Sequence, residues 1–136
     1  MTNFVLDSSA ILRMLDKEAG WQRVAEILEL YAVGSCALFI SAVQWGEIAG
    51  RIRKRGGVLE QIRVMGKLSQ LQLVIEPVMP EQAVRAAELK ADRGISYADA
   101  FALELATRTP ERILITADYD FKNVSDLANI EFLPSK

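Results

Sequence analysis

The stretch Arg112-Ile113-Leu114-Ile115-Thr116-Ala117-Asp118 decides the fold. An unbroken aliphatic run followed by threonine suits a strand buried on both faces, the signature of a parallel sheet. The run stops on an acid, which places a carboxylate just beyond the strand's carboxyl end. A second run, Phe4-Val5-Leu6, stops the same way on Asp7-Ser8-Ser9, a strand followed by a helix cap. Ala37–Ile40 reads as another buried strand, Leu73–Ile75 as a short one ended by Glu76-Pro77, and Ile130–Leu133 as a last one.

Helical segments lie between these strands. Ala10–Leu15 and Trp21–Tyr31 read as two helices broken near Gly20, the second with Val24, Ala25, Ile27, Leu28 and Tyr31 on one face. Ser41-x-x-Gln44 reads as a capping box opening a helix through Arg53. Arg55-Gly56-Gly57 stops that helix, and another follows over Val58–Leu71. Pro80 suits the first turn of a helix to Arg93, with Gly94 as its C-terminal stop. Ser96-x-x-Asp99 opens a helix through about Arg108. This alternation predicts an α/β fold: a three-layer α/β/α sandwich with a central, mainly parallel sheet. No repeat, low-complexity tract or linker divides the chain, so residues 1–136 read as one domain.

Composition narrows the chemistry. At 136 residues the chain can bury about 68% of its unfolded surface, enough for a core without disulfides. Hydrophobic residues make up 51% and charged residues 25%, which excludes whole-chain disorder. No apolar stretch approaches the ~20 residues of a membrane span. Met1-Thr2-Asn3 leads straight into Phe4 with no basic leader, so a cytoplasmic location is expected. The only cysteine is Cys36, and there is no histidine. Ser-His-Asp and Cys-His catalysis and histidine-ligated zinc are excluded.

Helix N-termini and strand C-termini share one edge of such a sheet, where ligands bind near the topological switch point. Asp7, Glu47, Asp99 and Asp118 all map to that edge, and Asp120 is a candidate fifth acid. Each also has a plain reading. Asp7 and Asp99 suit helix caps, Asp118 suits a turn, and helical glutamates such as Glu47 are usually solvated. Glu47, however, is flanked by Trp45 and Ile48 in an apolar helix, where an unpaired acid would be costly. Gathered carboxylates repel and require a counter-charge. A hard divalent cation supplies it, and such a cation also activates water without histidine. Metal-assisted phosphodiester hydrolysis is the expected reaction.

Four blocks carry a resemblance: Phe4–Ala10, Ile40–Glu47, Ser96–Ala100 and Leu114–Phe121. In order and spacing they resemble the four motifs of PIN domains, in particular VapC-type toxins of bacterial and archaeal toxin–antitoxin modules. The resemblance implies an endoribonuclease dependent on Mg2+ or Mn2+. It implies that Asp7, Glu47, Asp99 and Asp118 bind the metal, with Asp120 at a position that is often acidic. Ser8 and Thr116 match hydroxyl positions that orient acids or waters. It further implies a homodimer, and inhibition by an antitoxin whose C-terminal segment enters the acidic groove.

Net charge is −2. Residues 51–67 nevertheless hold Arg51, Arg53, Lys54, Arg55, Arg63 and Lys67 against Glu60 alone, a local +5 that leaves −7 elsewhere. Arg51, Arg53, Lys54 and Arg55 are candidate contacts to RNA phosphates; the plain alternative is a solvated helical face. Tyr97, Tyr119 and Phe121 neighbour the acids, with core packing expected for Phe121. Gly46 and Gly50, four apart, suggest a close helix contact. A PIN-like module that binds RNA or protein without cutting is the competing reading. Intact acids count against it. There is no G-x-x-x-x-G-K-[ST] loop, G-x-G-x-x-G fingerprint or D-x-D at the first strand, so other phosphoryl-transfer folds lose ground.

Overall fold

The computed structural model describes residues 2–136. Five strands form one sheet: β1 (Thr2–Leu6), β2 (Cys36–Ser41), β3 (Val74–Glu76), β4 (Arg112–Thr116) and β5 (Asn129–Phe132). Their order is β3-β2-β1-β4-β5, and every pairing is parallel. The helices are α1 (Ser8–Asp16), α2 (Trp21–Ala32), α3 (Ala42–Ser69), α4 (Pro80–Arg93) and α5 (Tyr97–Ala106), with a 3-10 turn over Tyr119–Val124.

Strand side chains alternate between faces, and this alternation builds two cores. Phe4, Leu6, Leu38, Ile40 and Ile115 pack with Ala10, Ile11, Val24, Ile27, Ile48 and Ile52 of α1–α3. Val5 and Leu114 face the other way, onto Ala86 of α4, onto Ala100, Leu103 and Leu105 of α5, and onto Phe121. The sheet therefore lies between two helical layers, as expected. Both expected strands flanking the centre hold; Arg112–Thr116 is reproduced at both ends, and the remaining boundaries move by a few residues.

Two glycines do conformational work. Gly57 interrupts α3 at φ 84°, a left-handed conformation that other residues rarely adopt, and separates the helix into the two parts the sequence anticipates. Gly20, at φ 88°, precedes α2 with Leu133 Cβ 2.9 Å from where its own Cβ would stand. Any side chain there would collide with the chain's last strand exit. At Gly46 and Gly50 nothing lies within 4 Å of an added Cβ, so the close contact their spacing suggests is not made within one chain.

The reading of Ser41-x-x-Gln44 as a capping box is also corrected. Ser41 does cap α3, accepting from the Val43 amide at 3.2 Å. Gln44 does not reach back to it. Its side chain is fully buried, accepts from the Ser8 amide at 2.7 Å and donates to the Ala98 carbonyl at 2.7 Å. One buried amide thereby ties together the starts of α1, α3 and α5.

Candidate metal and nuclease site

The chain goes from β1 to its neighbour on one side, then returns through β3 to β4 on the other. The switch point thus falls between β1 and β4, whose carboxyl ends carry Asp7 and Asp118. Strands that stop beside each other there leave a crevice, and helix N-termini point into it. A cavity of about 690 Å³ opens at this edge, and Asp7, Ser8, Glu47, Asp99, Asp118 and Asp120 all line it. These residues come from four separate stretches of chain and meet there because β1 and β4 end, and α1, α3, α5 and the 3-10 turn begin, at this edge.

Asp7 is the deepest, with 1% of its surface exposed. It caps α1: Oδ1 accepts from the Ala10 amide at 2.9 Å and from Ser9 Oγ at 2.7 Å. Oδ2 accepts from Thr116 Oγ1 at 2.6 Å. The plain reading of Asp7 as a cap therefore holds, and the same carboxyl lines the cavity. Burial pushes its carboxyl up to about 6, against the lowering effect of the Thr116, Ser9 and Ala10 bonds. Thr116 Oγ1 in turn accepts from the Asp118 amide at 2.9 Å, so one hydroxyl holds two acids in register.

Asp99 is half-buried in the first turn of α5, where Ser96 Oγ caps its amide at 3.1 Å. Burial, then the charge of Asp118, and then the charges of Asp7 and Glu47, push its carboxyl up to about 7, with Ser96 opposing. That these three acids are felt at Asp99 is an electrostatic sign that the four share one space. Glu47 is exposed, not confined by Trp45 and Ile48, so the burial cost expected from its neighbours is absent. Its Oε1 accepts from Ser8 Oγ at 3.1 Å. Asp118 Oδ1 caps the 3-10 turn through the Asp120 amide at 2.9 Å, and Asp120 itself is exposed on the rim.

The donor set is all oxygen, mostly carboxylate, with no nitrogen or sulfur ligand. Among the described residues, no three acids already converge on a single ligating point. Carboxylates that repel stand apart, and the chemistry fits a hard cation such as Mg2+, which keeps several waters and takes few direct protein ligands.

Two residues escaped the sequence reading. Ser9 bonds Asp7 and accepts from the Ala117 amide at 2.8 Å, clamping β1's exit to β4's. Gln44 is the other. Of the basic run, Arg51 and Arg55 line the cavity, whereas Arg53 and Lys54 do not. Arg53 donates to Gln61 Oε1 at 3.1 Å instead. Phe121 is fully buried as expected. Tyr97 stacks near Phe101 with ring centres 4.8 Å apart, and the Tyr119 hydroxyl donates to the Leu133 carbonyl at 2.8 Å. Among the described residues, no helix is long and apolar enough to cross a membrane.

Comparison with solved structures finds the same architecture. A VapBC complex from Salmonella typhimurium, bound to DNA, is similar with TM-score 0.74 at 16% identity, over 97% of this chain and 98% of that one. VapBC2 from Rickettsia felis, bound to a DNA fragment from its promoter, gives 0.71 at 14% identity, covering 97% and 99%. VapC20 from Mycobacterium tuberculosis, a toxin that cleaves the sarcin-ricin loop, gives 0.71 at 19% identity, covering 96% and 99%. At these identities the likeness is one of fold. No curated protein matches by sequence. The PIN domain family model matches residues 4–127, nearly the whole of the chain and all four acids, and the protein belongs to the PIN domain family.

Proposed function

We propose that the protein is a divalent-metal-dependent endoribonuclease, acting in the cytoplasm as the toxin of a VapBC-type module. The observation that carries this reading is the meeting of Asp7, Glu47, Asp99 and Asp118 at the wall of one cavity, with the carboxyls of Asp7 and Asp99 raised. Such crowding destabilises a fold that has no cation to bind, and a module that only binds RNA gains nothing from it.

In this reading Asp7, Glu47, Asp99 and Asp118 hold Mg2+ or Mn2+, with Asp120 a further acid on the rim. A bound divalent ion supplies a water nucleophile at neutral pH and neutralises charge developing on the phosphate. The chain's own groups do the positioning. Thr116, Ser9 and the Ala10 amide fix both oxygens of Asp7. Ser8 orients Glu47 Oε1. The Asp99 carboxyl, raised to about 7 by burial and by its acidic neighbours while no cation is bound, would be held ionised by a divalent ion. An antitoxin partner, supported by likeness to VapBC complexes, and a homodimer, implied by the family resemblance alone, complete the proposal.

The test is incubation of purified, antitoxin-free protein with a mixed cellular RNA pool in Mg2+ or Mn2+. Discrete fragments that vanish with EDTA and with Asp99→Asn support the reading. Metal binding without cleavage favours the non-cutting module.

A further inference from the structure

Glu47, Arg51 and Arg55 recur every fourth residue of α3. They form one stripe that advances about 6 Å per step along the helix. All three line the acidic cavity. The intervening cations Arg53 and Lys54 lie off this stripe. The wall of the acidic centre therefore continues directly into two guanidinium groups.

The two arginines differ in their present partners. Arg51 is exposed and makes no ion pair among the described residues. Arg55 donates through both terminal nitrogens to Asp16, at 2.7 Å and 3.4 Å. The Asp16 carboxylate thus occupies the Arg55 fork as a phosphate would. The Arg55 side chain is 48% exposed and that of Asp16 29%, so water screens the pair and it is readily exchanged. Beyond Arg55 a second cavity of about 490 Å³ shares Arg55 and Asp16 with the first. Its floor holds Leu15, Ile52 and Val64, and Lys67 stands at its edge without an ion pair among the described residues. A polyanion approaching these carboxylates is repelled, and the α3 pair faces it from one wall, whereas the cavity's other cations are engaged: Arg13 donates to the Ala19 and Pro134 carbonyls and Lys136 pairs with Glu18.

We propose that Arg51 and Arg55 form a phosphate subsite beside the acidic centre. It takes a backbone phosphate of single-stranded RNA flanking the one to be cut, and Asp16 holds the Arg55 fork until that phosphate displaces it. The ligand rests on the ribonuclease reading above; the geometry does not.

The experiment measures binding, not cutting. Anisotropy of a fluorescent single-stranded RNA is titrated with protein carrying Asp99→Asn, in EDTA, so that nothing is cleaved. Each lost phosphate contact on a single strand flattens the slope of log K against log salt by ~0.7 between ~50 and ~200 mM salt. Arg51→Ala and Arg55→Ala are each expected to flatten the slope by that amount. Arg53→Ala and Lys54→Ala leave it unchanged. Asp16→Asn tightens binding severalfold with the slope intact, and Arg55→Lys keeps the slope while losing affinity. Equal losses across all four cations, or none from Arg51 and Arg55, overturn the subsite. RNA cleavage by wild-type protein together with unaltered binding by both variants overturns it while leaving the ribonuclease reading intact. Selective binding by Arg51 and Arg55 in a protein that never cleaves supports the subsite and overturns the nuclease. Absence of any binding overturns the subsite, and cleavage by wild-type protein in Mg2+ or Mn2+ then decides the ribonuclease reading separately.

Discussion

Replacing Gln44 by leucine tests whether the site is held from beneath. The side chain is fully buried and makes two 2.7 Å hydrogen bonds, to the Ser8 amide and to the Ala98 carbonyl. Leucine has similar bulk but neither group. The Ser8 amide is a first-turn donor of α1 with no partner inside its own helix. Orphaning it costs about 1–3 kcal/mol. The Ala98 carbonyl retains its helical partner, so its loss is smaller, ~0.5–1 kcal/mol. The sum is about 1.5–4 kcal/mol. Unfolding entropy scales with chain length, so at 136 residues each kcal/mol moves the melting temperature by roughly 3.5 °C, and a drop of ~5–14 °C is expected. Activity should fall by more than the lost folded fraction explains, because Ser8 with Glu47, and Asp99 beside Ala98, are tethered to one another through this amide. Thermal melts and RNA cleavage well below the transition separate the two effects. A melting temperature within ~2 °C of wild type would show that Gln44 is not the tie described. Normal kcat in a clearly destabilised variant would show that the tie does not position the acids.

Three further predictions concern the acids. Asp99→Asn abolishes cleavage yet raises the melting temperature above neutral pH, because a carboxyl raised to about 7 is destabilising once ionised. With its partial exposure discounted, the gain is ~1–2 kcal/mol, and an unchanged or lower melting temperature would count against the crowding. The sign of the pH effect follows from the same shifts. Folded carboxyls at about 6 and about 7 hold protons that the unfolded chain, near 3.8, has already released. Stability of the metal-free protein therefore declines as pH rises from ~4 through ~7, and Mg2+ restores more of it near pH ~8 than near pH ~5. Melts across pH with EDTA or Mg2+ test this, and a metal effect independent of pH refutes it. Finally, Thr116→Val removes the hydroxyl that lowers the Asp7 carboxyl, so the acidic limb of the cleavage–pH profile moves to higher pH, while Thr116→Ser keeps it in place.

The acids were legible because strands end where aliphatic runs end. Leu6-Asp7 and Thr116-Ala117-Asp118 each mark a strand's carboxyl end without any knowledge of partners, and parallel topology then assigns both to one edge. Partners remote in the chain were not legible. Ser41-x-x-Gln44 suits a local capping box, but the actual partners of Gln44 lie 36 and 54 residues away, and no local spacing encodes them. Ser9 reads as an ordinary first-turn hydroxyl until its contact across 108 residues with Ala117 is formed. Glu47 was misjudged for a related reason. Its sequence neighbours Trp45 and Ile48 point to other sides of the helix, so apolar flanks do not imply burial. The basic run divides in the same way: sequence gathers four cations, and the helical repeat selects Arg51 and Arg55.

Three of the four central carboxylates are restrained by hydrogen bonds from different elements. Asp7 hangs on Thr116 and Ser9, Glu47 on Ser8 and Asp118 on the Asp120 amide, whereas Asp99 is placed through its backbone, whose amide Ser96 caps. Mutual repulsion would otherwise be relieved by rotation into solvent, which surface carboxylates do at little cost. Burial closes that route for Asp7 and in part for Asp99, and burial first, with the neighbouring acids adding to it, raises both carboxyls. The fold thereby brings the acids to one cavity, and because no three of them among the described residues yet converge on one point, binding a cation would require the more exposed side chains to rotate inward. A cation bound by these acids would remove the destabilisation that their ionisation causes, so its binding is expected to strengthen as pH rises through about 7.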